Sequence, residues 1–179
     1  MMPIDLLMTE HRLIERLIPL MKTELKKIEN NKLDLNFINN TIDFLITYAD
    51  KCHHGKEEGI LFKQLTTKKL SPEHQKTMEE LISEHNYARN NVRRIIDSQK
   101  KYVLGNKKAL EEIKTNLHAL MELYPIHIRK EDKQFFNPSM DYFDLKEQED
   151  ILQEFWEFDK KLIHEKYKEI IEELATKIL

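Results

Sequence analysis

The stretch His53-His54-Gly55-Lys56-Glu57-Glu58 is matched 74 positions later by His127-Ile128-Arg129-Lys130-Glu131-Asp132. The same offset carries Glu10-His11 onto Glu84-His85, and Leu61-Phe62 onto Phe135-Phe136. In both motifs a histidine precedes a glutamate by four positions. On a helix that is one turn, so the two side chains share a face and reach a common point. A helical chain that presents the same imidazoles and carboxylates twice has the makings of a two-metal centre.

The rest of the composition supports helices. The 179 residues include only three glycines and five prolines, amid abundant Leu, Ile, Lys and Glu, which leaves little material for hairpins. The length suits one domain with a substantial core, expected to span 1–179. Charged residues make up 34% with a net charge of −3, and no Lys/Arg stripe interleaved with aromatics stands out, so a nucleic-acid partner is not expected. The N-terminus lacks a cationic stretch followed by an apolar core, and no apolar run reaches bilayer length. The expectation is a cytoplasmic protein with no membrane partner. Cys52 is the single cysteine; it cannot form an internal disulfide or a thiolate metal site alone, and is expected to be inert.

Apolar periodicity predicts five helices. After Pro3, Ile4, Leu7, His11, Ile14, Ile18, Met21, Leu25 and Ile28 form one buried seam, and Pro19 should bend that helix by removing a backbone donor. A second helix runs from about Leu35 to about Leu65, with His53 and Glu57 near its inner face. Ser71-Pro72 starts a third, whose seam Met78, Leu81, His85, Ala88, Val92 and Ile95 ends at Gly105-Asn106. The fourth carries Leu110, Ile113, Leu117, Leu120, Tyr124, His127, Glu131 and Phe135 and breaks near Asn137-Pro138; Pro125 should kink it. Asp144 and Glu147 resemble a capping box opening a fifth helix, about 144–178. The predicted architecture is all-α: an up-down antiparallel four-helix bundle, core about 4–136, with an additional C-terminal helix against its outside or end.

Six inward positions carry the chemistry: His11, His53, Glu57, His85, His127 and Glu131. Nitrogen and oxygen donors suit iron, manganese or zinc. Two ionised glutamates in an apolar core are costly unless cations neutralise them. Packing alone does not call for His and Glu one turn apart in a core. Among the remaining residues, Gly55 and Gly59 suggest close approach of a neighbouring helix, Tyr124 is either a satisfied core tyrosine or a contact to a bound oxygen species, and Lys56 and Lys130 read as outward lysines paired with Glu58 and Asp132. His74, His118 and His164 have no histidine partner at the offset and read as surface residues or as residues backing the site.

At the two six-residue stretches and at Glu10-His11 and Glu84-His85, the chain resembles the hemerythrin-like, or HHE cation-binding, family over about residues 4–136. The resemblance implies two iron ions, one held by His11 and His53 and the other by His85 and His127, with Glu57 and Glu131 as bridges. Oxygen-carrying hemerythrins place a further histidine where this chain has Arg89, so the second iron would have fewer protein ligands. His54 is a candidate fifth imidazole, although an ideal helix turns it about 100° from His53. Asp132 is a second candidate carboxylate, since oxygen-carrying members use one five residues after the histidine; the internal repeat favours Glu131. The function implied is binding or sensing of a small diatomic gas, oxygen or nitric oxide, or of peroxide. The alternatives are a di-iron enzyme reducing peroxide or nitric oxide, and an iron-responsive interaction module. The sequence names no protein partner.

Overall fold

In the computed structural model, the backbone is described for residues 1–176 and the side chains for residues 1–162. Six helical stretches build the fold. Helix α1, Pro3–Glu15, starts with Pro3 in its first turn and Asp5 bonded back to the Met2 amide. It stops at Arg16, and α2 resumes over Leu17–Glu29. The break falls where Pro19, lacking an N–H, cannot bond the Glu15 carbonyl one turn earlier.

Helix α3 occupies residues 35–65, with the Asp34 side chain accepting the Asn36 and Phe37 amides as N-cap. Within α3 the α-helical pitch widens to a π-helix over Phe44–His54 and again over Glu57–Phe62. Helix α4, Pro72–Val103, is capped by Ser71 and ends before Gly105, whose φ of 95° is open to glycine but strained for other residues. Helix α5 occupies residues 109–140. It runs through Pro125 without a break and widens to a π-helix only at Glu131–Phe135. It also continues past Pro138 to Met140, beyond the expected end, because Pro138 falls in the first turn of a renewed α segment, where a missing donor is harmless. Helix α6, Leu145–Thr176, opens with the reciprocal Asp144 and Glu147 capping box at 2.8 and 3.0 Å.

Cross-helix hydrogen bonds give the topology. Between α4 and α5, Ser98 meets Glu112, His85 meets His127 and His74 meets Phe135; between α3 and α4, Asn39 meets Gln99, Asp50 meets Arg89 and Glu58 meets His85. Residue numbers rise on one helix as they fall on the other, so both pairs are antiparallel, as in an up-down bundle. Helix α6 lies along the outside of α3, where Asp159 pairs with Lys56, and its first turn pairs through Glu147 with Lys68, just past the end of α3; it buries Ile151, Leu152 and Phe155. The remaining side chains of the helix expected over about 144–178, His164 among them, lie outside the residues whose side chains are described. Among the described residues, no helix is long and apolar enough to cross a membrane.

The core is in two parts. Ile14, Met21, Leu45, Val92, Leu117 and Leu120 belong to one apolar cluster, and Leu7, Leu61, Leu81, Phe135, Phe136 and Phe155 to the other. The four bundle seams pass from one cluster to the other through their histidines and glutamates, which form a polar layer across the bundle axis.

Only one of the two α3 glycines has the expected close neighbour. A methyl group on Gly55 would lie 2.7 Å from the Phe158 ring of α6, whereas one on Gly59 would meet nothing within 4 Å. Gly59→Ala should therefore raise stability by up to about 1 kcal/mol, and Gly55→Ala should lower it by about 1–3 kcal/mol through overpacking. Urea titration of both variants reads this directly; equal shifts would mean that α6 does not seat on Gly55.

Candidate metal centre

All six predicted residues meet in the polar layer, none more than 3% exposed. Glu57 Oε1 lies 3.3 Å from His53 Nε2, and its Oε2 lies 3.4 Å from His85 Nε2. Glu131 Oε2 lies 3.1 Å from His11 Nε2 and 3.2 Å from His127 Nε2, while its Oε1 is 3.7 Å from His85 Nε2. Each carboxylate thus spans the gap between a first-half and a second-half imidazole. The donor atoms fall into two compact groups: His11, His53, Glu57 and Glu131 in one, and His54, His85 and His127 in the other.

His54 therefore turns inward, against the ideal-helix expectation. A π-helix has more residues per turn, so consecutive side chains diverge by less than in an α-helix, and the Phe44–His54 π segment ends at this residue. Its ring is 98% buried and stacks on His85 with centroids 3.8 Å apart. The His85/His127 side consequently has three imidazoles against two on the other, while both central carboxylates group with His11 and His53. Arg89 does not approach the centre as a ligand: it bonds Asp50 at 2.7 Å and Glu58 at 2.7 Å.

Behind every imidazole stands a carboxylate. His53 Nδ1 donates to Glu10 at 2.8 Å and His127 Nδ1 to Glu84 at 2.8 Å; His11 Nδ1 donates to Asp132 at 2.7 Å and His85 Nδ1 to Glu58 at 2.6 Å; His54 Nδ1 donates to Asp50 at 3.2 Å. A carboxylate only accepts, so Nδ1 must carry the proton. The neutral ring then presents an Nε2 lone pair to the centre, the form that ligates a metal. Glu131 stands in the layer itself, and Asp132 backs His11 from outside.

The reading of Lys56 and Lys130 as surface lysines is corrected here. Lys56 is fully buried, and its ammonium joins Glu10 and Asp159 rather than Glu58. Lys130 pairs with Glu84 and Glu80, not Asp132. Each lysine neutralises the glutamate that orients a histidine, at equivalent places in the two halves. The recurrence of Glu10/Glu84, Lys56/Lys130 and Glu58/Asp132 at the common offset was the available signal for this supporting ring. Two further residues settle simply: His74 donates to the Phe135 carbonyl at 3.1 Å, and His118 is exposed. Cys52 fits an inert role, since burial pushes its thiol up to about 12.

Without a cation, protons carry the positive charge. Burial opposes charge on His11, but Asp132 and Glu131 outweigh it and raise its pKa to about 9; His85 is raised against burial by Glu131 and Glu58. Burial holds His53 well below its ordinary value, and burial together with His85 pushes His54 down to about 3. Burial and then repulsion from Glu131 drive Glu57 far above the usual carboxylate range, while Glu131, despite burial, is held low by His127, His11 and His85. Protonation does not satisfy the layer. Both oxygens of Glu57, both of Glu131, and Nε2 of His11 and His53 are buried without an aligned hydrogen-bond partner. Buried polar atoms ordinarily find partners; these six converge, and nitrogen and oxygen donors in such a set fit divalent cations.

A family model described as the hemerythrin HHE cation binding domain matches residues 2–137, and the chain belongs to that family. Comparison with curated proteins gives no match, and comparison with solved structures gives none.

The supporting carboxylates should matter nearly as much as the central ones. Glu10→Gln and Glu84→Gln should each weaken divalent-metal affinity about 10–100-fold, whereas exposed Glu149→Gln should leave it unchanged. Competition against a chromophoric chelator measures this; full affinity in both variants would remove the supporting ring from the account.

Proposed function

We propose that this member of the hemerythrin HHE family is a non-haem di-iron protein that binds or senses oxygen, nitric oxide or peroxide. The observation that carries the proposal is the convergence of four unpaired carboxylate oxygens, from Glu57 and Glu131, with unpaired imidazole nitrogens in a fully buried layer. In this reading His11 and His53 hold one ion, His54, His85 and His127 the other, and the two glutamates bridge. Manganese or zinc would find the same donors acceptable. When bound, a pair of iron ions supplies redox chemistry and open coordination positions for a small ligand.

The protein's own contribution is charge, orientation and dryness. Glu57 and Glu131 neutralise part of the cation charge. The Nδ1 carboxylates hold the rings with Nε2 inward. Phe136 stacks near His11 and Phe62 near His85, with centroids 5.6 and 6.2 Å apart, so apolar surface borders both sides and keeps water out. The His11/His53 side has two imidazoles against three, and both carboxylates belong to its donor group.

The iron-responsive module is supported by one specific contact. Asp159 of α6 pairs with Lys56, which shares Glu10 with His53. Loading at His53 would thereby bear on the docking of α6.

Two measurements test the proposal. Iron-loaded protein prepared without oxygen should change its visible absorption on addition of oxygen, nitric oxide or peroxide, and Glu57→Ala/Glu131→Ala protein should not; silence towards all three ligands would refute the functional reading. Metal must also displace protons from His11, His85 and Glu57, whose pKa values are all raised. Uptake near neutral pH should therefore release about two to three protons per chain, and affinity should rise with pH. Calorimetry in buffers of different ionisation enthalpy counts them, and uptake without proton release would contradict the assignment.

A further inference from the structure

Helices α3 and α4 enclose a second feature that the metal layer does not use. A cavity of about 240 Å³ lies between them, walled by Leu45, Ala88 and Val92 and backed by the His54 ring. Tyr124, Asp50 and Arg89 make its polar end, and Arg93 stands on its exposed rim. These groups are not equally free. Arg89 is committed to Asp50 and Glu58. Tyr124 is 97% buried and makes no hydrogen bond among the described residues, although its hydroxyl lies close enough to Asp50 and Arg89 to feel their charges. The hydroxyl is not among the buried polar atoms left without a partner, and Tyr124 lines the cavity, so this oxygen is open to a ligand there. Arg93 likewise has no ionic partner among the described residues.

The cavity's dimensions narrow the ligand. An apolar cavity of about 150 Å³ accepts benzene, so this one has room for a single ring with polar substituents. Arg93 follows Arg89 by one helical turn, about 5–6 Å, which places a free cation roughly a ring's length from the Tyr124 end. The internal repeat does not extend to this face: at the offset of 74, Asp50 corresponds to Tyr124, Arg89 to Glu15 and Arg93 to Pro19. The two halves that agree at His11/His85, His53/His127 and Glu57/Glu131 differ here, and only one of them carries the arginines and the tyrosine.

We propose that this cavity binds a single-ring aromatic acid bearing a hydroxyl opposite its carboxylate. The ring rests on Leu45, Ala88 and Val92, the ligand hydroxyl pairs with the Tyr124 hydroxyl, and the carboxylate pairs with Arg93. Binding requires no metal, so the site stands or falls separately from the di-iron reading. It also touches the far side of His54, which connects the two sites through one side chain.

The test is a calorimetric titration of the full chain with 4-hydroxybenzoate, benzoate and phenol. The expected order places 4-hydroxybenzoate about tenfold tighter than either of the others. Tyr124→Phe should reduce it to the level of benzoate, and Arg93→Ala to the level of phenol, while Arg94→Ala, exposed but outside the cavity, should change nothing. Arg93 is a surface residue, so that variant tests the proposal even if the tyrosine substitution disturbs the fold. Absence of saturable binding, equal affinity for the three probes, or binding unaffected by Arg93→Ala would overturn it.

Discussion

Two carboxylates on the axis of an apolar bundle are the constraint on which the rest of this structure depends. Moving one ionised carboxylate out of water costs several kcal/mol even after the protein relaxes around it, and Glu57 and Glu131 are both fully buried and close enough to repel. The surrounding side chains are arranged as a response to that charge. Imidazoles approach the carboxylates from all four bundle helices, a ring of acids fixes their tautomers, and Lys56 and Lys130 balance two of those acids. Protons on His11 and His85 supply only part of the compensation, and the unpaired oxygens show what they leave undone. Cations at the centre would satisfy these atoms together, which is why the family's cation-binding character fits this chain's own geometry.

The fold can be seen as the means of keeping that layer in register. Apolar clusters on either side clamp it, and the apolar pairs Leu61-Phe62 and Phe135-Phe136 close one side in equivalent ways. The π-helical turns Glu57–Phe62 and Glu131–Phe135 also recur at the common offset, so the widened pitch belongs to the repeated design. The Phe44–His54 π segment has no equivalent. That asymmetry brings a fifth imidazole to one side, opens a cavity behind it, and distinguishes two halves that are otherwise nearly alike. Helix α6 adds a second asymmetry by sealing Lys56 with Asp159, while Lys130 stays partly open to solvent.

Much of this was legible in the residues themselves. The three- and four-residue spacing of the seams marks the four bundle helices, Ser71, Gly105 and the Asp144/Glu147 box mark boundaries, and the 74-residue offset brings the six central residues to one layer. Other features escaped a reading based on ideal helices. His54 depends on a π-helical widening that side-chain periodicity does not encode. Lys56 reads as a surface residue because a lysine is almost never fully buried unless paired, and its partners, Glu10 and Asp159, are distant in sequence. Gly59 has no neighbour although Gly55 does, because only the exact position of α6 distinguishes them. In each case the missing information was tertiary: where a neighbouring helix lies, and how far a local pitch departs from the ideal.

The most direct test is elemental analysis of protein purified without oxygen from iron-replete cells, alongside Glu57→Ala/Glu131→Ala protein prepared in the same way. The account predicts close to two iron ions per chain, falling sharply when both bridging carboxylates are removed while the helical fold persists. Negligible metal of any kind in the unaltered protein, or the same metal content after both substitutions, would contradict it.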